Sequence, residues 1–374
     1  MILWFMPHDQ VNNYHPRNMI STENFSLFIF TTISLIASTI GFILYLATNN
    51  RIYDKSIGLF GSVALLFAVI FLNPMFSDNA VYLHNMQILR ATGQWPNVSE
   101  EFGFVTLISM ITKISIDDWI FYQILRTLLV FAKLYIITKL TKEYSLTLIF
   151  YIVFIFSYND IIAIRSSYAL LMIYIGLLLL RKRFFNFFLS FTVFSSAFHL
   201  SAITILPPLW ATTWLYINRS KNLMYKLSPI IFISSVILTN LNTIDTIADY
   251  YNSSHVAEKL DFYQYYVDSG ETDTVSKFRP VQWYFFSIAL LLWKPTREDQ
   301  DNLLSIFGFV FTLLSPILFI ILSYSPVVSG RLHNVYFSIA IFSIIGQSNY
   351  YKLLFGIGCL FGFISLFING HYLR

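Results

Sequence analysis

An arginine and a histidine stand at the edges of segments that are apolar enough to lie in a bilayer. Arg165 lies near the start of the apolar run 161–180, and His199 follows the run 184–198 within S-S-A-F-H-L-S-A-I. A cation inside a membrane segment costs about 3 kcal/mol on insertion scales, so it usually faces protein, water or an anion. The two residues therefore predict an intramembrane site for a negatively charged group.

The composition is that of an integral membrane protein. Of the 374 residues, 56% are hydrophobic and only 12% are charged, and the mean hydropathy is +0.63. Soluble domains carry roughly 25% charged residues. Aromatic residues reach 18%, which suits both helix packing and surfaces that stack on sugar rings. Cys359 is the single cysteine, which excludes a disulfide framework and a cysteine metal site.

Apolar runs near the spanning length predict an all-α membrane fold of about twelve transmembrane helices, between 11 and 13. The runs are 26–47, 57–72, 118–140, 145–157, 161–180, 184–198, 201–217, 227–242, 281–293, 303–323, 332–345 and 353–368. The run 102–114 is shorter, and we interpret it as a re-entrant or interfacial segment. With no internal repeat or soluble linker, we expect one polytopic membrane domain over residues 1–374.

The distribution of basic residues predicts the orientation. Lysines and arginines gather in six groups: Arg51/Lys55, Lys139/Lys142, Arg181–Arg183, Arg219/Lys221/Lys226, Lys294/Arg297 and Lys352. Placing all six in the cytoplasm puts two long loops outside, 73–117 and 243–280, and these loops hold most of the acids. We therefore expect a multi-pass membrane protein with these two loops outside.

That orientation brings distant polar residues to one outer leaflet. They are Asp78, Glu101, Arg165, His199, Arg279 and Arg331. Arg126 differs, because it lies about 12 Å inside its predicted helix. It either pairs with a neighbouring helix or lines a substrate cavity.

Five stretches in order resemble the EpsG/Wzy-like family of bacterial polysaccharide polymerases. They are F-S-D-N-A-V-Y-L-H-N-M around Asp78 and Tyr82, E-F-G-F-V-T-L from Glu101, A-I-R-S-S-Y-A-L at Arg165, S-A-F-H-L-S-A-I-T-I-L-P at His199, and G-R-L-H-N-V-Y-F at Arg331. The resemblance runs from about residue 72 to residue 337. Phe102 replaces a more usual proline, a departure that bears on the geometry of that loop.

The resemblance implies a GT-C-like glycosyltransferase of the bacterial inner membrane, which joins undecaprenyl-diphosphate-linked oligosaccharide repeats on the outer face of that membrane. A hydroxyl of one lipid-linked unit attacks the anomeric carbon of the growing chain, and undecaprenyl diphosphate leaves. Arginines suit the diphosphate because they grip phosphate oxygens in bidentate fashion; the candidates are Arg165, Arg331 and Arg279. The candidates for the group that acts on the acceptor hydroxyl are His199, Glu101 and Asp78.

Sugar contacts, partners and cofactors complete this hypothesis. Tyr82, Tyr263 and Tyr266 are candidates for stacking on sugar rings. The partners implied are the lipid-linked oligosaccharides, the bilayer and a chain-length regulator protein, with no nucleic acid. No H-x-x-x-H, D-x-D or paired-carboxylate signature stands out, so we expect no cofactor and no metal.

Each residue also has a structural interpretation. Arg165 could pair with Asp160 or snorkel, and His199 could be a hydrogen-bonded histidine at a helix end. Arg331 could anchor the outer interface, and Glu101 and Asp78 could be solvated loop acids. Competing functions are another GT-C enzyme such as an O-antigen ligase, a polysaccharide flippase, and a polysaccharide acyltransferase. A flippase predicts polar residues along the whole path and repeat symmetry.

Overall fold

The computed structural model describes residues 22–71, 78–95, 102–113, 117–160, 163–182, 184–205, 207–209, 212–213, 280–294, 299–321 and 326–368. Within these ranges the chain is helical and has no strand. In chain order the α-helices are α1 (Thr22–Thr48), α2 (Arg51–Ile70), α3 (Asp78–Thr92), α4 (Phe102–Thr112), α5 (Asp118–Leu140), α6 (Tyr144–Phe150), α7 (Ile164–Arg181), α8 (Phe185–Ser195), α9 (Pro280–Leu292), α10 (Asp299–Ile321), α11 (Pro326–Ala340) and α12 (Asn349–Ile368). A π-helix (Tyr151–Asp160) continues α6, and 3₁₀ turns follow at Leu200–Ile205 and Ile341–Ile344.

Four of the described helices are long and apolar enough to cross a membrane. They are Ser26–Thr48, Arg51–Ile70, Asp118–Leu140 and Ile164–Arg181. Shorter apolar helices lie at Tyr144–Phe156, Asn186–Ser195, Pro280–Leu292, Leu303–Leu318 and Leu332–Ile344. These findings support an all-helical membrane protein, whereas the number of about twelve spans and the GT-C-like fold stay predictions.

The chain forms two compact units. The first comprises Met1–Ile203 and Ser348–Arg374, and the second comprises Thr204–Gln347. Thus α1–α8 and α12 belong to the first unit, and α9–α11 belong to the second. The prediction of a single domain over the whole chain is not tested by this division.

Polar caps fix the starts of several helices in the first unit. The Asn50 side chain accepts a hydrogen bond from Ile52 N at 2.9 Å, and the Asp117 side chain accepts one from Trp119 N at 2.9 Å. The start of α6 is capped from another helix, because Asp54 on α2 accepts from Tyr144 N at 2.8 Å and from Ser145 N at 2.9 Å. Such caps satisfy backbone donors that a helix leaves open at its first turn.

A close approach joins α1 and α2 into a hairpin. A Cβ on Gly61 would lie 2.8 Å from Ser38 Oγ and 3.0 Å from the Ser34 carbonyl oxygen. Any larger side chain would push the helices apart, so a small residue at this position permits contact between their backbones.

The helix α3 falls within the predicted outer loop 73–117. Spanning-length hydropathy misses it because its sequence, DNAVYLHNMQILRAT, is amphipathic. Tyr82, Met86 and Leu89, at helical spacing, are buried. The nearby α4 has 11 residues, a length of about 17 Å against a hydrocarbon core of about 30 Å. A re-entrant or interfacial role for α4 stays a prediction.

The segment before His199 also differs from the predicted helix 184–198. The helix α8 ends at Ser195, and residues 196–198 turn, with hydrogen bonds from Ala197 N to the Phe194 carbonyl and from Phe198 N to the Ser195 carbonyl. His199 therefore lies beyond the α-helix, where its own carbonyl accepts from Ala202 N at 2.9 Å.

Candidate functional site

Arg165, in the first turn of α7, is held by a tyrosine from α3. Arg165 Nε donates a hydrogen bond to the Tyr82 hydroxyl at 2.7 Å, and the guanidinium carbon lies 5.6 Å from the centre of the Tyr82 ring. Tyr82 is only 3% exposed, whereas Arg165 is half-buried. A bond through Nε fixes the plane of the guanidinium, which decides where its fork of donors points.

An aromatic row, formed by Tyr82, Phe104, Tyr168 and Phe198, connects this arginine to the histidine segment. Ring centres are 5.0 Å apart between Tyr82 and Phe104, 6.4 Å between Phe104 and Tyr168, and 5.7 Å between Tyr168 and Phe198. The four rings come from α3, α4, α7 and the turn before His199. Contacts of this kind suit rigid helix packing.

A backbone contact brings α4 directly against the same turn. Gly103 N donates to the Ala197 carbonyl oxygen at 2.8 Å, and a Cβ on Gly103 would lie 2.7 Å from that oxygen. His199, two residues further on, is 7% exposed. The first four of the five motif segments thus meet in the first unit.

The predicted site residues differ in how far the structure describes them. Arg165, His199 and Tyr82 are fully described, and they lie in this cluster of segments. Asp78 begins α3 and Arg331 lies on α11 in the second unit, and for both the structure describes the backbone alone. The predictions for Glu101, Arg279, Tyr263 and Tyr266 lie outside the described residues.

The burial of Tyr82 bears on its predicted contact with sugar. Its ring lies edge-on against Phe104, and its hydroxyl accepts from Arg165. This geometry makes Tyr82 a positioning residue for the guanidinium, and a direct contact with sugar stays a prediction.

A buried polar cluster lies between α5, the π-helix and α7. Lys133 Nζ forms an ion pair with Asp160, and neither side chain is exposed. The Tyr151 and Ser167 hydroxyls also donate to Asp160, and Lys133 donates to Ser167. Asp160 is therefore the partner of Lys133, whereas Arg165 donates a hydrogen bond to Tyr82.

The sequence interpretation missed this cluster, although its signal is visible. Lys133 follows Arg126 by seven residues in one apolar run, so both lie on the same face of α5. Arg126 is completely buried, with its guanidinium carbon 5.5 Å from the centre of the Tyr122 ring. It also acts electrostatically on Asp160 and Tyr168, residues outside α5. Arg126 thus interacts with neighbouring helices.

The opposite end of the first unit gathers basic groups. Lys352 Nζ lies 2.8 Å from Glu143 Oε1, and Arg181 Nη1 donates to the Lys139 carbonyl. Together with the Asp54 cap on α6, these contacts put described residues from four of the six predicted cytoplasmic groups at one end: Arg51, Lys55, Lys139, Lys142, Arg181, Lys182 and Lys352. Arg165 lies at the other end of α7, so the candidate site and the basic groups are separated along the helices.

The second unit has its own buried histidine, His333, two residues after Arg331. Its Nε2 lies 2.7 Å from Gln282 Nε2, and its Nδ1 lies 2.5 Å from Ser315 Oγ. The imidazole therefore bridges Gln282 on α9 and Ser315 on α10. His333 belongs to the fifth motif, but it was not among the predicted site residues.

Metal ligands are not grouped in the described part of the chain. No cluster of three or more histidine, cysteine, aspartate or glutamate side chains that could hold a metal ion occurs there.

The helices and the site define a class: an all-helical membrane protein with a guanidinium and a histidine segment at one end of a helix bundle. The sequence profile of the EpsG family matches residues 59–373. The chain belongs to this family, a membership that is consistent with a membrane-embedded polysaccharide polymerase. Comparisons with curated proteins and with solved structures found no match.

Proposed function

We propose that the protein is a glycosyltransferase that polymerises undecaprenyl-diphosphate-linked oligosaccharide repeat units at the outer face of the bacterial plasma membrane. One observation carries the proposal: the first four motif segments meet at one end of the first unit, where Tyr82 holds Arg165 and Gly103 contacts the turn before His199. Family membership supports the same class of reaction.

The reaction requires a site that stabilises a departing diphosphate. The acceptor hydroxyl oxygen forms a bond to the anomeric carbon while the bond from that carbon to the diphosphate oxygen breaks, and undecaprenyl diphosphate leaves with the electron pair. Arg165 is our first candidate to bind the departing diphosphate, and Arg331 and Arg279 are further candidates. A preorganised cation stabilises the transition state most where negative charge develops in a site with little water.

The proton of the acceptor hydroxyl needs a base. We assign this role to His199, with Glu101 and Asp78 as alternatives, since imidazole is the side chain that most often serves as a general base in enzymes. Tyr263 and Tyr266 are proposed sugar contacts, and a chain-length regulator is a proposed partner.

The orientation is part of the proposal. The basic groups at the opposite end of the first unit favour a cytoplasmic position for that end. The end with Arg165 then faces the exterior, where lipid-linked repeats are joined.

Purified protein in liposomes with lipid-linked repeat units tests the proposal. We expect longer glycans and released undecaprenyl diphosphate. An O-antigen ligase would instead need lipid A core as acceptor, and a flippase would move the repeat across the bilayer without lengthening it. Failure to elongate while either of those activities is present would contradict the proposal.

A further inference from the structure

The hydroxyl of Tyr168 is a buried polar group that the proposed reaction has not used. Tyr168 is 7% exposed, and its hydroxyl has no hydrogen-bond partner within the described parts of the chain. Other buried tyrosines use their hydroxyls: Tyr82 with Arg165, Tyr144 with Ser62, and Tyr151 with Asp160. A buried hydroxyl without a partner carries its full desolvation cost, so its presence in a native protein calls for an explanation.

The place of Tyr168 in the site suggests a ligand. It follows Arg165 by three residues on α7, so both side chains lie on the same face of that helix. Its ring is stacked on Phe198, next to His199, with an interplanar angle of 21°. The hydroxyl therefore belongs to the region between the arginine and the histidine segment.

The charges around the hydroxyl favour an anion. Arg126 on α5 acts electrostatically on Tyr168, and Arg165 lies one turn away on α7. A phenol donates one hydrogen bond, and donation to a charged oxygen is stronger than donation to a neutral one. Two neighbouring cations and a donor without a partner match a phosphate oxygen better than a sugar hydroxyl.

We propose that the Tyr168 hydroxyl donates a hydrogen bond to a diphosphate oxygen of the lipid-linked donor. This inference rests on the proposed function, and it adds a diphosphate contact beside Arg165. In the described structure the Phe104 and Phe198 rings pack against Tyr168. The donor therefore reaches the hydroxyl by displacing part of this cover, which α4 and the turn before His199 supply.

The test is Tyr168→Phe, which removes one oxygen and keeps the ring between Phe104 and Phe198. We expect an unchanged or higher Tm, because the variant lacks the unsatisfied buried hydroxyl. We also expect a kcat that is lower by about tenfold. We also expect a smaller rise in Tm on adding undecaprenyl diphosphate. A purely structural role would change the Tm without changing turnover.

Tyr144→Phe is the matched control. Its hydroxyl bonds to Ser62 at the opposite end of the first unit, so the variant should have a lower Tm but normal turnover per folded molecule. Wild-type turnover in Tyr168→Phe would overturn the inference. So would lower turnover with an undiminished diphosphate-induced rise in Tm, because the hydroxyl would then contact sugar. Absence of elongation by the wild-type protein would instead reject the proposed function, and this inference with it.

Discussion

At the scale of single residues, the candidate site depends on how a few side chains are oriented. Arg165 and Tyr82 are 83 residues apart in the chain, yet they form a 2.7 Å hydrogen bond through Nε. This contact gives the guanidinium a fixed plane beside the aromatic row. His199 follows the turn after α8, so its position depends on the contact between Gly103 and Ala197 as well as on α8.

Arg165→Lys separates charge from geometry. Lysine keeps the cation but loses both the planar fork and the Nε that bonds to Tyr82. We expect a large fall in polymerisation and an accumulation of single-repeat glycans in a deletion strain that carries the variant, as seen on gels. A normal glycan ladder from Arg165→Ala at normal protein level would show that the diphosphate site lies elsewhere.

His199→Gln tests the assignment of the base. Glutamine preserves hydrogen bonding without basicity, so we expect a fall in kcat of about 10²- to 10⁴-fold, with donor binding retained. Turnover of purified lipid-linked repeats provides the measurement. Near-normal turnover would make His199 a positioning residue and move the base to Glu101, whereas weak donor binding would place the histidine with the phosphate contacts.

At the scale of elements, the Lys133–Asp160 cluster links three helical segments. Asp160 ends the π-helix, Ser167 lies on α7 two residues after Arg165, and Lys133 comes from α5. The cluster therefore fixes the entry of α7, the helix that carries Arg165. Because both charges are fully buried, each of them depends on the other.

Removing one partner of this pair should destabilise the protein strongly. We expect Lys133→Met or Asp160→Asn alone to lower the free energy of unfolding by about 3–5 kcal/mol. Each change leaves the other charge buried without its partner. The double variant Lys133→Met with Asp160→Asn should recover most of this loss, because the neutral amide oxygen can still accept from the Tyr151 and Ser167 hydroxyls. Thermal unfolding in detergent measures the effect, and equal stability of the single variants and the wild type would contradict it.

At the scale of the whole molecule, the first unit has two chemically different ends. Arg165, the aromatic row and the Arg90–Asp118 ion pair, at 2.5 Å, lie at one end. The Glu143–Lys352 pair and the Arg181–Lys139 contact lie at the other. This separation of basic groups from the candidate site is the structural basis of the proposed orientation.

Single cysteines can test that orientation directly. Thr92 and Thr48 are exposed residues at opposite ends of the first unit, and the native Cys359 is buried, so its background reaction should be low. We expect Thr92→Cys to react with a membrane-impermeant thiol reagent added to intact cells, and Thr48→Cys to react only after lysis. The reverse pattern would place the candidate site in the cytoplasm.

The sequence alone determined the class of the protein and much of its helical content. The helix α5 spans Asp118–Leu140, the same bounds as its apolar run, because a long apolar segment in a bilayer must satisfy its backbone hydrogen bonds internally. Family membership was also predicted, from motifs that lie within the matched residues 59–373. The basic residues in the loops predicted that Lys139, Arg181 and Lys352 lie on one side of the membrane. In the structure these residues lie at one end of the first unit.

Only the tertiary structure decided which side chains meet. Spanning-length hydropathy reports how apolar a segment is, so it missed the amphipathic α3 and could not pair Tyr82 with Arg165. The sequence left open whether Asp160 pairs with Arg165. In the structure Asp160 pairs with Lys133, which is 27 residues away in the chain. Such pairings depend on how helices from distant parts of the chain pack together, and no periodicity within one segment encodes them.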